Sequence, residues 1–152
     1  MSYIRFQSSQ LAKRYISRVF VGSLTKNGNK TRAINLFNQF LLDIQYKFKT
    51  NPIDFLDGVI GAIRPKVFLI SKKISGSTVK IPTPITVKRS YSIAIKWLLS
   101  SALKRRGAKL SQQLFSELLD ICANSTNGTI RKRDEYHKLA KINRTFLRYN
   151  KF

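Results

Sequence analysis

Apolar residues recur at intervals of three and four along most of the chain, the spacing that gathers them on one face of an α-helix. In the segment 31–48 the pattern is carried by Ile34, Phe37, Leu41 and Ile44. The same periodicity predicts four more helices and a shorter one near the start of the chain. The predicted helical segments are 31–48, 51–63, 90–106, 111–125 and 133–149, with the shorter helix within residues 11–22.

Local signals indicate where these helices begin and end. Asn51 is a good N-cap, and Pro52 suits the first helical position, where its missing N–H costs nothing. The helix should end before Pro65, because the residue ahead of a proline is disfavoured in the helical conformation. Ser90 and Ser111 are the predicted N-caps of the next two helices.

The apolar faces of the later helices predict the rest of the core. The residues expected to point inward are Ile53, Leu56, Ile60, Ile63, Ala94, Trp97, Leu98, Ser101, Leu114, Phe115, Leu118, Leu119, Cys122, Tyr136, Leu139, Ala140, Asn143 and Leu147.

One stretch, residues 63–89, interrupts the helical pattern. Side chains around Val67 to Lys72 alternate with a period of two, and the Ser-Gly-Ser sequence at 75–77 supplies a turn, which together predict a β-hairpin over 66–87. Pro82 and Pro84 confine the return strand to an edge position. Because an isolated two-stranded ribbon is only marginally stable in water, we expect a polyanion outside the protein to hold it.

The chain has 152 residues, which suits a single domain. The predicted fold is mainly α, a single helical domain of about six helices with one protruding β-hairpin arm, preceded by a basic N-terminal segment at 1–17. That segment fits an organellar transit peptide or a nucleic-acid-binding tail equally well.

Charge narrows the possible functions. The chain has 29 Lys and Arg against 7 Asp and Glu, a formal net charge of +22. Self-repulsion at this charge opposes compaction unless a polyanion neutralises it, and nucleic acid is the leading candidate. An anionic membrane is disfavoured, because the cations are spread over the whole chain and no stretch approaches the roughly 18 apolar residues that span a bilayer.

The sequence offers little for catalysis. His137 is the single histidine and Cys122 the single cysteine, so no metal site built from several of these residues is possible, and no phosphate-binding or nucleophile-elbow motif occurs. Two carboxylate pairs have helical spacing, Asp54 with Asp57 and Glu117 with Asp120. We interpret all four as capping or solvent-facing residues. Neither an enzymatic activity nor a cofactor or metal is expected.

The positive signal is a set of cationic clusters. The candidate RNA-contacting residues are Arg5, Lys13, Arg14, Arg18, Lys26, Asn27, Gly28, Asn29, Lys30, Arg32, Arg64, Lys66, Lys72, Lys73, Lys80, Lys88, Arg89, Lys104, Arg105, Arg106, Lys109, Arg131, Lys132, Arg133, Arg144 and Arg148. Within them, Asn27-Gly28 permits positive φ, so this turn can present amides and flanking lysines to one phosphate. Scattered clusters suit folded RNA, read by shape, better than one helix in a DNA groove.

Two rival interpretations remain at this stage. A basic nucleoid protein would show one dominant cationic face and bind duplex DNA of any sequence. An RNA-processing nuclease would need its carboxylates gathered in a basic cleft.

Several stretches together are similar, in order and spacing, to ribosomal protein S-seven of the small subunit. They are LTKNGNKTRA, NPIDFLDGVIGAIRPKV, SGSTVKIPTPI, AIKWLLSSALKR and ELLDICANSTNGTIRKRDEYHKLAKINRTFLRY. The resemblance covers about residues 18–150. It departs from the bacterial pattern in the ribbon turn, where a second glycine is replaced by Ser75 or Ser77.

The resemblance implies a structural constituent of the small subunit that binds the three-prime major domain of its ribosomal RNA and nucleates assembly of the head. It also implies a ribbon near the exit-site tRNA and the messenger path, neighbouring head and platform proteins, and no homo-oligomer. Ile, Lys, Asn, Phe and Tyr make up 58 of the 152 residues, the bias of an AT-rich coding sequence. We therefore expect a mitochondrial ribosome, with a plastid or a bacterial cytoplasm as alternatives.

Overall fold

Six α-helices, one 3₁₀ helix and a β-hairpin form the described part of the chain. The computed structural model describes residues 10–74, 76–107, 109–123 and 128–149, with side chains from residue 14 onward. The elements in chain order are α1 (Gln10–Leu24), α2 (Lys30–Phe48), α3 (Pro52–Ile63), β1 (Val67–Ile74), β2 (Ser77–Pro84), α4 (Val87–Ala102), α5 (Leu110–Cys122), α6 (Gly128–Ile142) and the 3₁₀ helix (Asn143–Tyr149). The predicted mainly α fold with one hairpin arm is confirmed.

The ends of α3 follow the sequence signals. The Asn51 side chain accepts a hydrogen bond from the Ile53 amide at 3.2 Å, and Pro52 occupies the first turn. At the other end Arg64 leaves the helical conformation, with φ −56° and ψ 139°, as expected of a residue that precedes Pro65. The α2 helix begins in the same way, since Asn29 accepts from the Arg32 amide.

The two predicted serine caps are wrong. The α4 helix begins at Val87 behind an extended Thr86, and Ser90 lies within its first turn, 3% exposed, where its hydroxyl donates to the Val87 carbonyl at 2.7 Å. The α5 helix begins at Leu110, so Ser111 is already helical and 1% exposed. Both helices start earlier because their first residues, Val87 and Leu110, are apolar and pack against the core, so the helical conformation extends ahead of the serines.

Helices α1 to α5 share one apolar core. Phe20 of α1 lies at its centre, with ring centroids 5.3 Å from Phe37 and 5.9 Å from Phe40. Fully burying a side chain of this size contributes roughly 1.5–3 kcal/mol. On α2 the buried face runs through Ala33 and Phe40 as well as Phe37, so the predicted Ile34 falls outside it and is 37% exposed.

The predicted inward face of α6 is only partly buried. Ala140 is 8% exposed and Tyr136 stacks edge-on against Trp97 at 5.3 Å, as expected, but Leu139 and Leu147 are 40% and 44% exposed. Cys122, at the end of α5, is also exposed and not inward-facing. Leu139 is exposed because α6 packs mainly on α4 and the hairpin, which cover a narrower stripe than a full helix face. Leu147 lies beyond α6 in the 3₁₀ helix, and Cys122 is the last residue of α5.

The hairpin pairs Val67 with Pro84 and closes at Ile74 and Ser77. Gly76 supplies the turn with φ 86°, a conformation that favours glycine. The Leu69 amide points away from the partner strand, since it donates to the Tyr136 hydroxyl at 2.8 Å. Its opposite residue, Pro82, therefore occupies a non-hydrogen-bonded pair, where a proline removes no ladder bond.

The base of the hairpin is packed and its tip is exposed. Ile81, Pro82 and Thr83 are buried, and the 3₁₀ helix lies against β2. The His137 ring also accepts a hydrogen bond from the Lys66 amide, with 3.1 Å between Nε2 and N. The outer part of the ribbon, around the turn at Gly76, is exposed.

A buried polar pair joins α3 to α4. The Tyr91 hydroxyl donates to the Asp57 carboxylate at 2.8 Å, and the two residues are 2% and 8% exposed. Burial raises the pKa of Tyr91 to about 12, and the hydrogen bond to Asp57 acts in the same direction. The prediction that Asp57 faces solvent is wrong, because Tyr91 gives its carboxylate a partner inside the protein.

Replacing Tyr91→Phe should lower the free energy of unfolding by about 1–3 kcal/mol, because the buried Asp57 carboxylate loses its donor. Urea denaturation near pH 7 measures this change. Tyr46→Phe is the matched control, since Tyr46 is 90% exposed, and should alter stability by less than about 0.5 kcal/mol. Equal effects of the two substitutions would contradict this account.

The same variant gives a pH test. The folded-state pKa of Tyr91 lies above its unfolded value of about 10. Neutral Tyr91 thus stabilises the fold fully below about pH 10, and this contribution is lost as the pH rises toward about 12. The stability difference between the wild type and Tyr91→Phe should therefore shrink over that range.

Candidate nucleic-acid interface

The cationic residues avoid one side of the helical bundle. No lysine or arginine occurs at residues 33–46 or 50–63, which form most of α2 and all of α3. The exposed cations lie instead on α1, the 25–29 loop, the two ends of α2, the hairpin, α4, the segment between α4 and α5, and α6 with the 3₁₀ helix. The surface charge is thus uneven, although it is not confined to one patch.

The 25–29 loop has the predicted backbone conformation. Asn27 and Gly28 are successive residues with φ of 52° and 75°, and the Asn29 side chain is committed to capping α2. Lys26, Lys30 and Arg32 surround this turn, and all are exposed. The exposed side chains of these three cations can therefore converge on one phosphate beside the turn.

The hairpin tip carries lysines on both faces. Ser71 lies opposite Lys80 and Lys73 opposite Thr78, so Lys73 and Lys80 share one face while Lys72 lies on the other. All three lysines are exposed. The Lys72 ammonium reaches the Tyr149 carbonyl at 3.3 Å, which brings the 3₁₀ helix toward the same surface.

A second cationic region surrounds the base of the hairpin. A cavity of about 610 Å³ is lined there by Arg64, Lys66, Arg133 and His137, together with Asp134. Two of the predicted arginines have internal roles in this region. Arg133 donates to the Ala62 carbonyl at 3.0 Å, and Arg89 stacks over the Phe68 ring at 3.8 Å. Lys88 is exposed beside it, and Arg64 lies 5.5 Å from the centre of the Tyr91 ring.

His137 is placed for a structural role. Burial lowers the pKa of its imidazole, and the nearby Arg133 charge lowers it further. The neutral ring is the form whose Nε2 can accept the hydrogen bond from the Lys66 amide. In the described residues there is no group of three or more His, Cys, Asp and Glu side chains arranged to hold a metal ion.

Arg105 belongs to an internal ion-pair network. It donates to Glu117 at 2.6 Å and also bonds Asp120, while the Thr129 hydroxyl donates to the second Glu117 oxygen at 2.5 Å. Burial acts to lower the pKa of Arg105, but the hydrogen bonds to Asp120 and Glu117 outweigh it and raise the pKa. The network ties the segment after α4 to α5 and to the start of α6.

The interpretation of Glu117 as a solvent-facing residue is wrong, since it is 2% exposed. Its position between Leu114, Leu118 and Ile121 on the apolar face of α5 was the available signal. Lys132 is also drawn inward, since its ammonium bonds the Ser100 hydroxyl. Burial and the charge of Lys104 lower the pKa of Lys132. Two predicted RNA-contacting cations, Arg105 and Lys132, thus have partners within the protein.

The remaining predicted residues lie on the surface or outside the described part. The exposed ones are Arg14, Arg18, Lys104, Arg106, Lys109, Arg131, Arg144 and Arg148. Arg131 has a weak ion pair with Glu135 at 3.9 Å, where both side chains are exposed. Arg5 lies outside the described residues, as does the side chain of Lys13. Among the described residues, the exposed lysines outside the list of candidate RNA-contacting residues are Lys47, Lys49, Lys96, Lys138 and Lys141.

Exposed cations on several elements, carried by a helical bundle, are typical of a structural nucleic-acid-binding protein. Within the described residues, no helix is long and apolar enough to cross a membrane. The carboxylates of the second predicted pair are held by Arg105, which argues against a nuclease centre.

The chain belongs to the family of ribosomal protein S7p/S5e, whose model matches residues 3–144. It is similar to the small ribosomal subunit protein uS7 of Orientia tsutsugamushi strain Boryong and to that of strain Ikeda. Each is 31% identical over 126 residues, which cover 83% of this chain and 73% of the relative. The resemblance drawn from the sequence is confirmed. The protein is a structural constituent of the small ribosomal subunit and not an enzyme.

The neighbouring residues Arg105 and Arg106 should have different roles. Arg105→Gln leaves the buried Glu117 without its guanidinium partner and should lower the free energy of unfolding by roughly 1–3 kcal/mol. Arg106→Gln should leave stability within about 0.5 kcal/mol, because Arg106 is exposed. Thermal and urea denaturation of both variants check this. An Arg106 variant less stable than the Arg105 variant would contradict the assignment.

Proposed function

We propose that the protein binds the three-prime major domain of small-subunit ribosomal RNA through its exposed cations, and that this binding nucleates assembly of the subunit head. One observation carries the proposal: several carboxylates are committed to bonds inside the fold, while two groups of cations are exposed. Asp57, Glu117 and Asp120 are bonded within the fold, whereas the cations of the 25–29 loop and the hairpin tip are exposed. Phosphates are the ligands that such unbalanced cations favour.

The hairpin tip is the part of the protein that we propose to lie near the exit-site tRNA and the messenger path. The support is its projection beyond the packed base and its lysines on both faces. A cationic ribbon exposed on two faces can contact two RNA segments at once, one on each side. The C-terminal elements add Arg144 and Arg148 to the same side of the molecule through the contact of the 3₁₀ helix with β2.

Neighbouring head and platform proteins are the other partners that we propose. The exposed apolar side chains of Leu139, Ile142 and Leu147 support this, because ribosomal RNA offers little apolar surface to cover them. We also propose that residues 1–152 act as one domain and that the protein works as a single copy.

The source of the ribosome is proposed to be a mitochondrion. The support is the AT-type amino-acid bias, in which Ile, Lys, Asn, Phe and Tyr account for 58 of 152 residues. Co-sedimentation of the protein with small subunits from purified mitochondria tests this, and its recovery only with plastid or cytoplasmic subunits would refute it.

Specific ribosomal RNA binding is tested by a titration against three nucleic acids of equal length. They are a three-prime-domain fragment of small-subunit ribosomal RNA, a random duplex RNA and a random duplex DNA. We expect a preference of about 10³ or more for the ribosomal fragment at physiological salt, similar to the specificity of DNA-binding proteins for their sites. Equal affinities that fall together with added salt would instead favour the basic nucleoid protein.

The ribbon is tested by a double variant, Lys73→Gln with Lys80→Gln, which removes two charges from one face of the tip. If both lysines contact phosphates, the slope of log affinity against log salt for the ribosomal fragment should become less steep by about 2. The matched control is Lys47→Gln with Lys49→Gln, two exposed lysines outside the predicted clusters. A hairpin variant whose salt slope matches that of the control would remove the ribbon from the interface.

A further inference from the structure

A cleft of about 710 Å³ separates the 25–29 loop from the segment that leads into α5. This volume lies within the roughly 300–1,000 Å³ typical of sites for small ligands. Part of its lining belongs to the core, since Leu24 and Ala33 are 8% and 2% exposed. The cleft is therefore supported by packed helices and is not merely a gap between two loops.

Three cations line this cleft: Lys26, Arg32 and Lys109. The lining contains no acidic residue, and the ion pairs in the described part of the chain involve other cations. Like charges brought together in a concave site repel one another, and a bound anion offsets this repulsion by attracting all of them.

The start of α5 adds to the same positive potential. Lys109 is the N-cap residue of α5 and provides no side-chain hydrogen bond to it, although this end of a helix favours an acceptor or a negative charge. Ser111 also lines the cleft while it is only 1% exposed. A lysine at this position is unfavourable for an isolated helix, but it suits a helix whose end meets a bound anion.

The rest of the lining offers apolar and amide side chains, which can contact a nucleobase as well as a phosphate. Leu103, 51% exposed, provides apolar surface at the mouth, and Leu110 lies beside it. Asn27 and Gln39 bring side-chain amides, each with a donor and an acceptor. The Gln113 amide nitrogen already donates to the Arg105 and Gly107 carbonyls, so this side chain can offer its carbonyl oxygen only as an acceptor. A phosphate alone needs only the cations, whereas a nucleobase attached to it also needs flat apolar contact and polar groups for its edge.

We propose that this cleft holds one nucleotide of RNA that is unstacked from its helix, with its phosphate on Lys26, Arg32 and Lys109 and its base against the leucines and amides. The inference rests on the proposed RNA-binding function and makes it more specific. The protein would then recognise a bulged or looped-out residue in its RNA, in addition to the shape of the helix backbone. The base contact is with leucines, so the bound base packs on aliphatic surface and not on an aromatic ring.

The experiment uses the full chain and two RNA hairpins that differ in one position. One hairpin carries a single 2-aminopurine bulge, and the other has the same 2-aminopurine paired within the stem. The wild type should bind the bulged hairpin at least about tenfold more tightly than the paired one, as expected for one additional charge-assisted contact with the extruded nucleotide. The fluorescence of the bulged 2-aminopurine should change on binding as its stacking is altered.

Two matched variants separate the cleft from general charge attraction. Lys109→Gln should remove most of the preference for the bulge. Lys47 is an exposed lysine far along α2, so Lys47→Gln should affect both hairpins equally and keep the preference. Leu103→Ala should lower the preference without any change of charge. Circular dichroism of each variant confirms that it is folded.

The outcomes distinguish the two proposals. If the wild type binds both hairpins with the same affinity, or if Lys109→Gln keeps the full preference, the nucleotide cleft is refuted while RNA binding stands. If neither hairpin nor the ribosomal fragment is bound, the proposed RNA-binding function itself fails.

Discussion

The imbalance between cations and carboxylates is the constraint on which the rest of this structure depends. With 29 basic and 7 acidic residues, the protein cannot neutralise its own charge. The fold also commits several of its carboxylates to internal bonds, including Asp57 with Tyr91 and Glu117 with Arg105 and Thr129. These carboxylates stabilise helix packing, but they leave most cations at the surface without a counter-charge. The apolar core must therefore hold together a molecule that repels itself until a polyanion binds.

The helical bundle and the hairpin are connected so that separate cationic surfaces keep fixed positions. Two side chains of α6 accept hydrogen bonds from the start of the ribbon: Tyr136 from the Leu69 amide and His137 from the Lys66 amide. The 3₁₀ helix covers β2, and Arg89 stacks on Phe68 at the base. An arm that is anchored at its base and exposed at its tip can reach RNA at a defined angle, since it lacks the freedom of an isolated ribbon. This geometry explains why prolines are tolerated in β2, where pairs such as Leu69–Pro82 need no ladder bond from the proline.

The sequence predicted the features that depend on neighbouring residues. The Asn51 cap, the end of α3 before Pro65, the positive φ at Asn27-Gly28 and the hairpin turn at Gly76 all follow from local backbone preferences. The predictions that failed depend on residues distant in sequence. Glu117 is buried with Arg105 and Thr129 as partners, and Leu139 is exposed because the hairpin covers a narrow part of α6. For the same reason the sequence could count the cations but could not tell Arg105, which is paired, from Arg106, which is exposed.

The melting temperature of the RNA-free protein, measured across a range of salt concentrations, tests the central claim most directly. The Debye length falls from about 10 Å at 0.1 M salt to about 3 Å at 1 M, so added salt screens the repulsion between exposed cations. If unneutralised charge is what destabilises the free protein, its melting temperature should rise steadily with sodium chloride, while its affinity for RNA falls. A melting temperature that stays constant or decreases as salt is added would show that self-repulsion does not limit this fold, and would contradict the account.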